Sequence, residues 1–230
     1  PASTVGGEGD EKRLVVPMTA SPPKIDGRLD DPCWREAARA SGFLQLYPTP
    51  RAPATVLTEV FVLKDRRCLY FGFRCHDPEP DKIVAFQTKR DGRMGRDDRV
   101  EIFLDTFNDR RRLFNFQLNV LGTKTDVKWG NWDWNEVWEA ATSRTRDGWE
   151  AEIAIPYRIL SYDPKAKVWG VNFLRYTHHL DELDVWVYRI EPIFRPENMG
   201  DLVNPLPEGV EAARPRPKLL HYVMLSLIHI

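Results

Sequence analysis

Apolar and polar residues alternate with a period of two along most of the chain, and helical periodicity is scarce. Leu14-Val15-Val16-Pro17-Met18 reads as a short edge strand, because its proline cannot donate to a ladder. SPPKIDGRLDDPCW has the Pro, Gly and Asp density of a tight loop and leads into a short helix over Pro32–Ala40. TEVFVLK and CLYFGFRC, joined by a turn at Asp65-Arg66, form a β-hairpin with Leu69, Phe71, Phe73 and Cys75 on one face.

DDRVEIFLD puts Val100, Ile102 and Leu104 on one side and Glu101, Phe103 and Asp105 on the other. After the polar turn FNDRRR, LFNFQLNV sets Phe114, Phe116, Leu118 and Val120 against Asn115, Gln117 and Asn119. VWEAATSR and WEAEIAI make another hairpin through Asp147-Gly148; PYRILSY is one helical turn, and VWGVNFLRYT and DVWVYRIE close the run. About ten strands with frequent turns predict an all-β fold: an antiparallel β-sandwich, immunoglobulin-like or jelly-roll-like, with little helix.

Residues 1–12 read as a flexible segment, 13–205 as the sandwich, and 206–230 as a linker with the truncated start of a following region. Pro192 to Pro217 carries the linker composition; the final MLSLIHI reads equally as a non-native end. The small polar start PASTVGGEGDEK fits a mature end after signal removal or a cut fragment. No apolar stretch reaches the roughly 18 residues a membrane helix needs.

The 230 residues are 42% hydrophobic and 29% charged, which are globular values. With 33 Lys and Arg against 34 Asp and Glu, the net charge of −1 argues against a nucleic-acid partner. Arg90, Arg93, Arg96 and Arg99 are interleaved with Asp91, Asp97 and Asp98, the pattern of a solvated mixed-charge surface. Cys33, Cys68 and Cys75 show no metal spacing and read as free thiols.

A sugar ring offers C–H groups to an aromatic face and a rim of hydroxyls to carboxylates and amides. If the two strands flanking FNDRRR pair, Glu101, Gln117 and Asn119 share one sheet face, and Asn172 with Tyr176 joins them. KWGNWDWNEVW holds four of the eight tryptophans. Trp138 begins a strand and reads as core, as do Trp149 and Trp169, while Trp34 plugs one end of the sandwich. Trp132 and Trp134, and with them Trp129, sit on a loop and are candidate stacking platforms; Trp186 and Tyr188 share a further strand face.

IDGRLDDPCW, the TEVFVLK hairpin, DDRVEIFLDTFNDRRRLFNFQLNVLGTKTD, VWEAATSRTRDGWEAEIAIPYRIL and WGVNFLRY follow one another in order from about Leu14 to Pro205. Together they resemble a carbohydrate-binding module of family 9, in the version found at the N-terminus of large bacterial outer-membrane proteins. The resemblance implies a β-sandwich, secretion to the periplasm or outer membrane, a poly- or oligosaccharide ligand, and covalent continuation into a β-barrel after a monomeric module. It assigns Glu101 to the sugar site, with Gln117 and Asn119 on the following strand. It also implies an aromatic before V-E-I-F-L-D, where this chain has GRMGRDD; the Trp129-to-Trp134 loop is the candidate substitute.

Other chemistry has weaker support. No hydrolase motif or Ser/His/Asp set is legible, so the chain reads as non-catalytic, although two carboxylates could fall at the roughly 5–10 Å spacing of glycosidases. His178 and His179 point to opposite faces. Met94, His76 and His178 could ligate haem, but no CxxCH motif attaches it. Calcium at Asp26, Asp30 and Asp31 lacks the alternation of an EF-hand loop, so no cofactor is assigned. A ligand-free structural or protein-interaction module is the main alternative.

Overall fold

The structure, a computed structural model, describes residues 12–189 and 197–209. The N-terminal segment up to residue 11, half of the Pro-rich stretch and the apolar tail lie outside the described residues. In chain order the strands are β1 (Arg13–Val15), β2 (Ala38–Ala40), β3 (Leu44–Tyr47), β4 (Thr58–Lys64), β5 (Cys68–His76), β6 (Arg99–Asp105) and β7 (Leu113–Asn119). There follow β8 (Lys124–Lys128), β9 (Glu139–Thr145), β10 (Gly148–Pro156), β11 (Val168–Thr177), β12 (Glu182–Val185) and β13 (Gly200–Val203). Helix among the described residues is confined to short 3-10 turns.

The strands form two sheets. The larger runs β1-β13-β11-β6-β7-β8, with β12 and β3 extending it beside the second half of β11; the smaller runs β2-β4-β5-β10-β9. Pairing is antiparallel except for β1 with β13. Strict alternation fixes which side faces inward, because a one-residue slip would turn every apolar side chain to the wrong face. Phe71 and Phe73 of the smaller sheet meet Phe173 of the larger at 6.1 and 5.9 Å, edge-on. Around them Ile102, Phe116, Trp149, Ile153 and Trp169 are fully buried.

The turns have local causes. Asp65 Oδ1 accepts from Arg67 N and Cys68 N at 2.6 and 2.7 Å and closes the β4–β5 hairpin. Gly148 (φ 143°) lies where a Cβ would stand 1.9 Å from the Cys75 carbonyl oxygen. The expected helix over Pro32–Ala40 is a 3-10 turn, Pro32–Glu36, followed by β2. Trp34 does not plug an end of the sandwich. It packs with Leu29 on the outer face of the smaller sheet, against Phe61, Leu63 and Tyr70. Its Nε1 donates to Glu152 Oε1 at 2.9 Å, while Asp26 N and Gly27 N donate to Glu152 Oε2. Gly27, with φ 89° and a Cβ position 2.5 Å from Thr142 backbone, lets that loop reach the sheet.

Candidate functional site

The outer face of the larger sheet is where the expected polar residues stand. Glu101 pairs with Gln117, Arg99 with Asn119 and Phe103 with Asn115 across β6 and β7. On the other side of β6, Glu101 faces Leu174, Arg99 faces Tyr176 and Phe103 faces Asn172. Toward β3 and β12 this face is apolar, built from Leu174, Tyr176, Leu183, Val185 and Tyr188. Toward β7 it is polar. The boundary between the halves runs along β6.

A hydrogen-bonded row crosses that boundary. Gln117 Nε2 donates to Asn115 Oδ1 at 2.7 Å, and Asn115 Nδ2 donates to Glu101 Oε2 at 3.2 Å. Arg99 Nε donates to Glu101 Oε1 at 2.9 Å, and Arg99 Nη1 donates to Met94 O at 3.1 Å. The guanidinium lies 4.9 Å from the centre of the Tyr176 ring. Glu101 is nearly buried, Gln117 half-buried. A charged pair so placed fixes its members by charge-assisted bonds, and Gln117 presents its remaining amide valence outward.

Tyr47, on β3, is 37% exposed, and its ring centre is 6.3 Å from that of Tyr176. Burial raises its pKa. Burial, helped by hydrogen bonding to Asp181, pushes the Tyr176 phenol up to about 12. Tyr176 donates to Asp181 Oδ1 at 2.8 Å. Both phenols therefore stay protonated at neutral pH; Tyr176 gives its O–H to Asp181, and Tyr47 can donate its own.

Several expected residues are elsewhere. Trp134 is 7% exposed, its ring 5.3 Å from Phe114 and 5.9 Å from Phe116. Those rings point inward, so Trp134 is a core residue and not a platform. Trp129 is 45% and Trp132 63% exposed, but Trp129 also leans on Phe114, at 6.2 Å. It opens the tight turn after β8, bonded to Leu113 O at the start of β7, whereas Gln117 lies four residues on, about 13 Å along the strand. Trp134 and Trp129 are thus not brought to the Glu101 face. After the turn at Trp129-Gly130 the chain folds to the inner side of the sheet, where Trp134 meets Phe114 and Phe116, opposite Gln117.

Asn172 shares the Glu101 face but is buried and fully used. It donates to Val187 O and Asn198 O and accepts from Phe173 N and Val187 N, fixing the segment after β12. Asn119 is likewise buried, donating to Gln87 O and Asp97 Oδ2 and accepting from Leu121 N and Thr123 N. Trp186 is buried against Phe173, 5.5 Å away, while Tyr188 lies on the outer face beneath Arg51, so the two do not share a face. Trp138, Trp149 and Trp169 are core, as expected.

Arg99, Asn115 and Tyr47 complete the face. Arg99 and Asn115 have the same parity as Glu101 and Gln117 and were readable by it. Tyr47 comes from a strand some fifty residues before Arg99, and nothing local in QLYPTP marks it.

The other candidates have their own bonds. Asp26 pairs with Lys24 at 3.0 Å, and Asp31 accepts from Lys24 N. Among the described residues no group of three His, Cys, Asp or Glu could hold a metal ion. Met94 is buried, His178 donates to Arg96 O, and His179 meets Asp77 at 2.9 Å. Behind His179, Arg175, Asp77, Glu182 and Asp184 form a buried polar group between the sheets. Burial and the neighbouring Glu182 push the Asp184 carboxyl up to about 8.

The family model described as "Carbohydrate family 9 binding domain-like" matches residues 25–186. Two solved structures of a family 9 carbohydrate-binding module from Caldicellulosiruptor kristjanssonii share the fold, each with a TM-score of 0.63. One, in complex with glucose, is 20% identical, covering 84% of this chain and 95% of that one. The other, in complex with cellotriose, is 18% identical, with 88% and 99% covered. No curated protein matches the chain.

Proposed function

The chain belongs to the carbohydrate family 9 binding domain-like family, and from that premise we propose that it is a non-catalytic module holding a sugar on the outer face of its larger sheet. The carrying observation is the meeting, along β6, of an aromatic half with a polar row: Tyr47 and Tyr176 beside Arg99, Glu101, Asn115 and Gln117. That arrangement suits a sugar, whose C–H face needs an apolar floor and whose hydroxyls need both donors and acceptors. Tyr47 gives the exposed ring edge, Gln117 an amide at the rim, and Glu101 an acceptor already oriented by Arg99 and Asn115. Pre-set side chains lose little entropy on binding.

The relatives solved with glucose and cellotriose make those two sugars the first probes. Isothermal titration with a panel of oligosaccharides tests the reading, with Gln117→Ala and Glu101→Gln as site variants. Binding by the parent protein that weakens in both variants supports it. Heat of binding from no glycan in the panel overturns it in favour of a ligand-free structural module. The family resemblance also leads us to place the full-length protein in the bacterial cell envelope, ahead of a membrane barrel. Fractionation of cells making the full-length protein tests that placement, and a cytosolic protein would contradict it.

A further inference from the structure

The four arginines from Arg90 to Arg99 do not form one solvated surface. Arg90 is tied to Asp126 and to Glu136 O, and Arg99 to Glu101. Arg93 and Arg96 are exposed and have no side-chain partner among the described residues. Nor do the interleaved acids neutralise them at the surface. Asp97 and Asp98 are buried. Asp97 accepts from Phe86 N, Gln87 N and Asn119 Nδ2, while Asp98 accepts from Val84 N and His178 N. Asp91 accepts from Asn135 Nδ2 at 2.8 Å and stands 3.5 Å from Arg90.

These bonds pin the loop between β5 and β6 at its base and leave a shallow cleft of about 450 Å³. Phe86, Gln87, Arg93, Gly95, Arg96 and Asp97 line it. Phe86 is 67% exposed, and its ring is braced edge-on by His178 at 5.6 Å. Leaving a phenyl ring and two guanidiniums in water around one cleft brings no gain to folding. The cleft also adjoins the proposed sugar face. Asn119, which holds Gln87 O at 2.8 Å, is two residues from Gln117, about 7 Å along β7. Arg99 reaches Met94 O in the same loop.

Resting on the sugar reading above, we infer that this cleft takes a uronic-acid residue, neighbour in the chain to the sugar held over Glu101 and Gln117. The Phe86 face suits the ring's C–H groups, and the two planar guanidinium forks suit its carboxylate. A neutral sugar would leave both forks without a counter-charge, so charge complementarity selects the acidic chain.

The test compares a neutral oligoglucoside with an oligouronide of equal length, titrated at low and high NaCl. The expected result is about tenfold tighter binding of the oligouronide at low salt, with the preference shrinking as salt screens the exposed charges. In the Arg93→Gln/Arg96→Gln double variant the preference disappears while affinity for the neutral oligosaccharide is unchanged. Equal affinity for the two ligands, or a preference that survives in the double variant, overturns the inference and leaves the sugar face standing. Failure of both ligands to bind the parent protein, together with the rest of the panel, overturns the two readings together.

Discussion

Replacing Trp134 by Ala, beside Trp132 by Ala, separates two indoles that stand two residues apart in one loop. Trp134 packs its ring on Phe114 and Phe116, while its backbone N–H approaches Asn131 O at 3.5 Å. Removing a buried aromatic costs about 3–5 kcal/mol, the transfer free energy plus the cavity left behind. The low end applies, because the loop at the sheet edge can collapse into part of that space. For a domain of this size 1 kcal/mol moves the melting temperature by about 2–4 °C, so Trp134→Ala should melt roughly 6–12 °C lower. Trp132, at 63% exposure, removes little buried area, and its replacement should stay within about 0.5 kcal/mol of the parent. Melts followed by circular dichroism measure both. Equal melting temperatures for the two variants, or a larger drop for Trp132→Ala, would refute the placement of this loop.

Three further outcomes follow from the same geometry. Glu152→Ala leaves Asp26 N, Gly27 N and Trp34 Nε1 without their acceptor and should cost about 3–5 kcal/mol in urea denaturation, part of it regained in Glu152→Gln. Asp184 has a folded pKa raised to about 8, so between its ordinary value near 4 and 8 the folded chain holds a proton that the unfolded chain has lost. Stability contributed by this group is then greatest below pH 4 and declines as pH rises to 8, with a slope approaching 1.4 kcal/mol per pH unit; Asp184→Asn should flatten the decline. Gln117→Ala should weaken sugar binding by about tenfold with less than about 1 kcal/mol lost in stability, since the side chain is only half-buried.

The sandwich was legible because parity does most of the work of a β fold. Alternation in VEIFLD and FNFQLN marks the core side and the outer side at once, and the FNDRRR turn sets their pairing. For the same reason Glu101 and Gln117 could be placed together from sequence alone. Parity does not say whether a polar residue on the outer face is free: Asn119 and Asn172 are consumed by loops that cross above them, and only the tertiary structure shows those loops. Nor does it reach across long separations, which is why Tyr47 stayed hidden. The tryptophan loop failed differently. Glycines and asparagines marked it as a loop, correctly, but a loop residue can still turn inward, as Trp134 does over Phe114. In Arg90–Arg99 sequence order suggested mutual screening, whereas burial of Asp97 and Asp98 removes those acids from the surface.

The most direct test of the sugar face is a titration of isotope-labelled protein with cellotriose, followed by amide chemical shifts. Perturbed residues should cluster at Tyr47, Glu101, Asn115, Gln117 and Tyr176, with Trp132 and Trp129 unmoved. Perturbation centred on the Trp129–Trp132 loop, with the β6–β7 face silent, would contradict it.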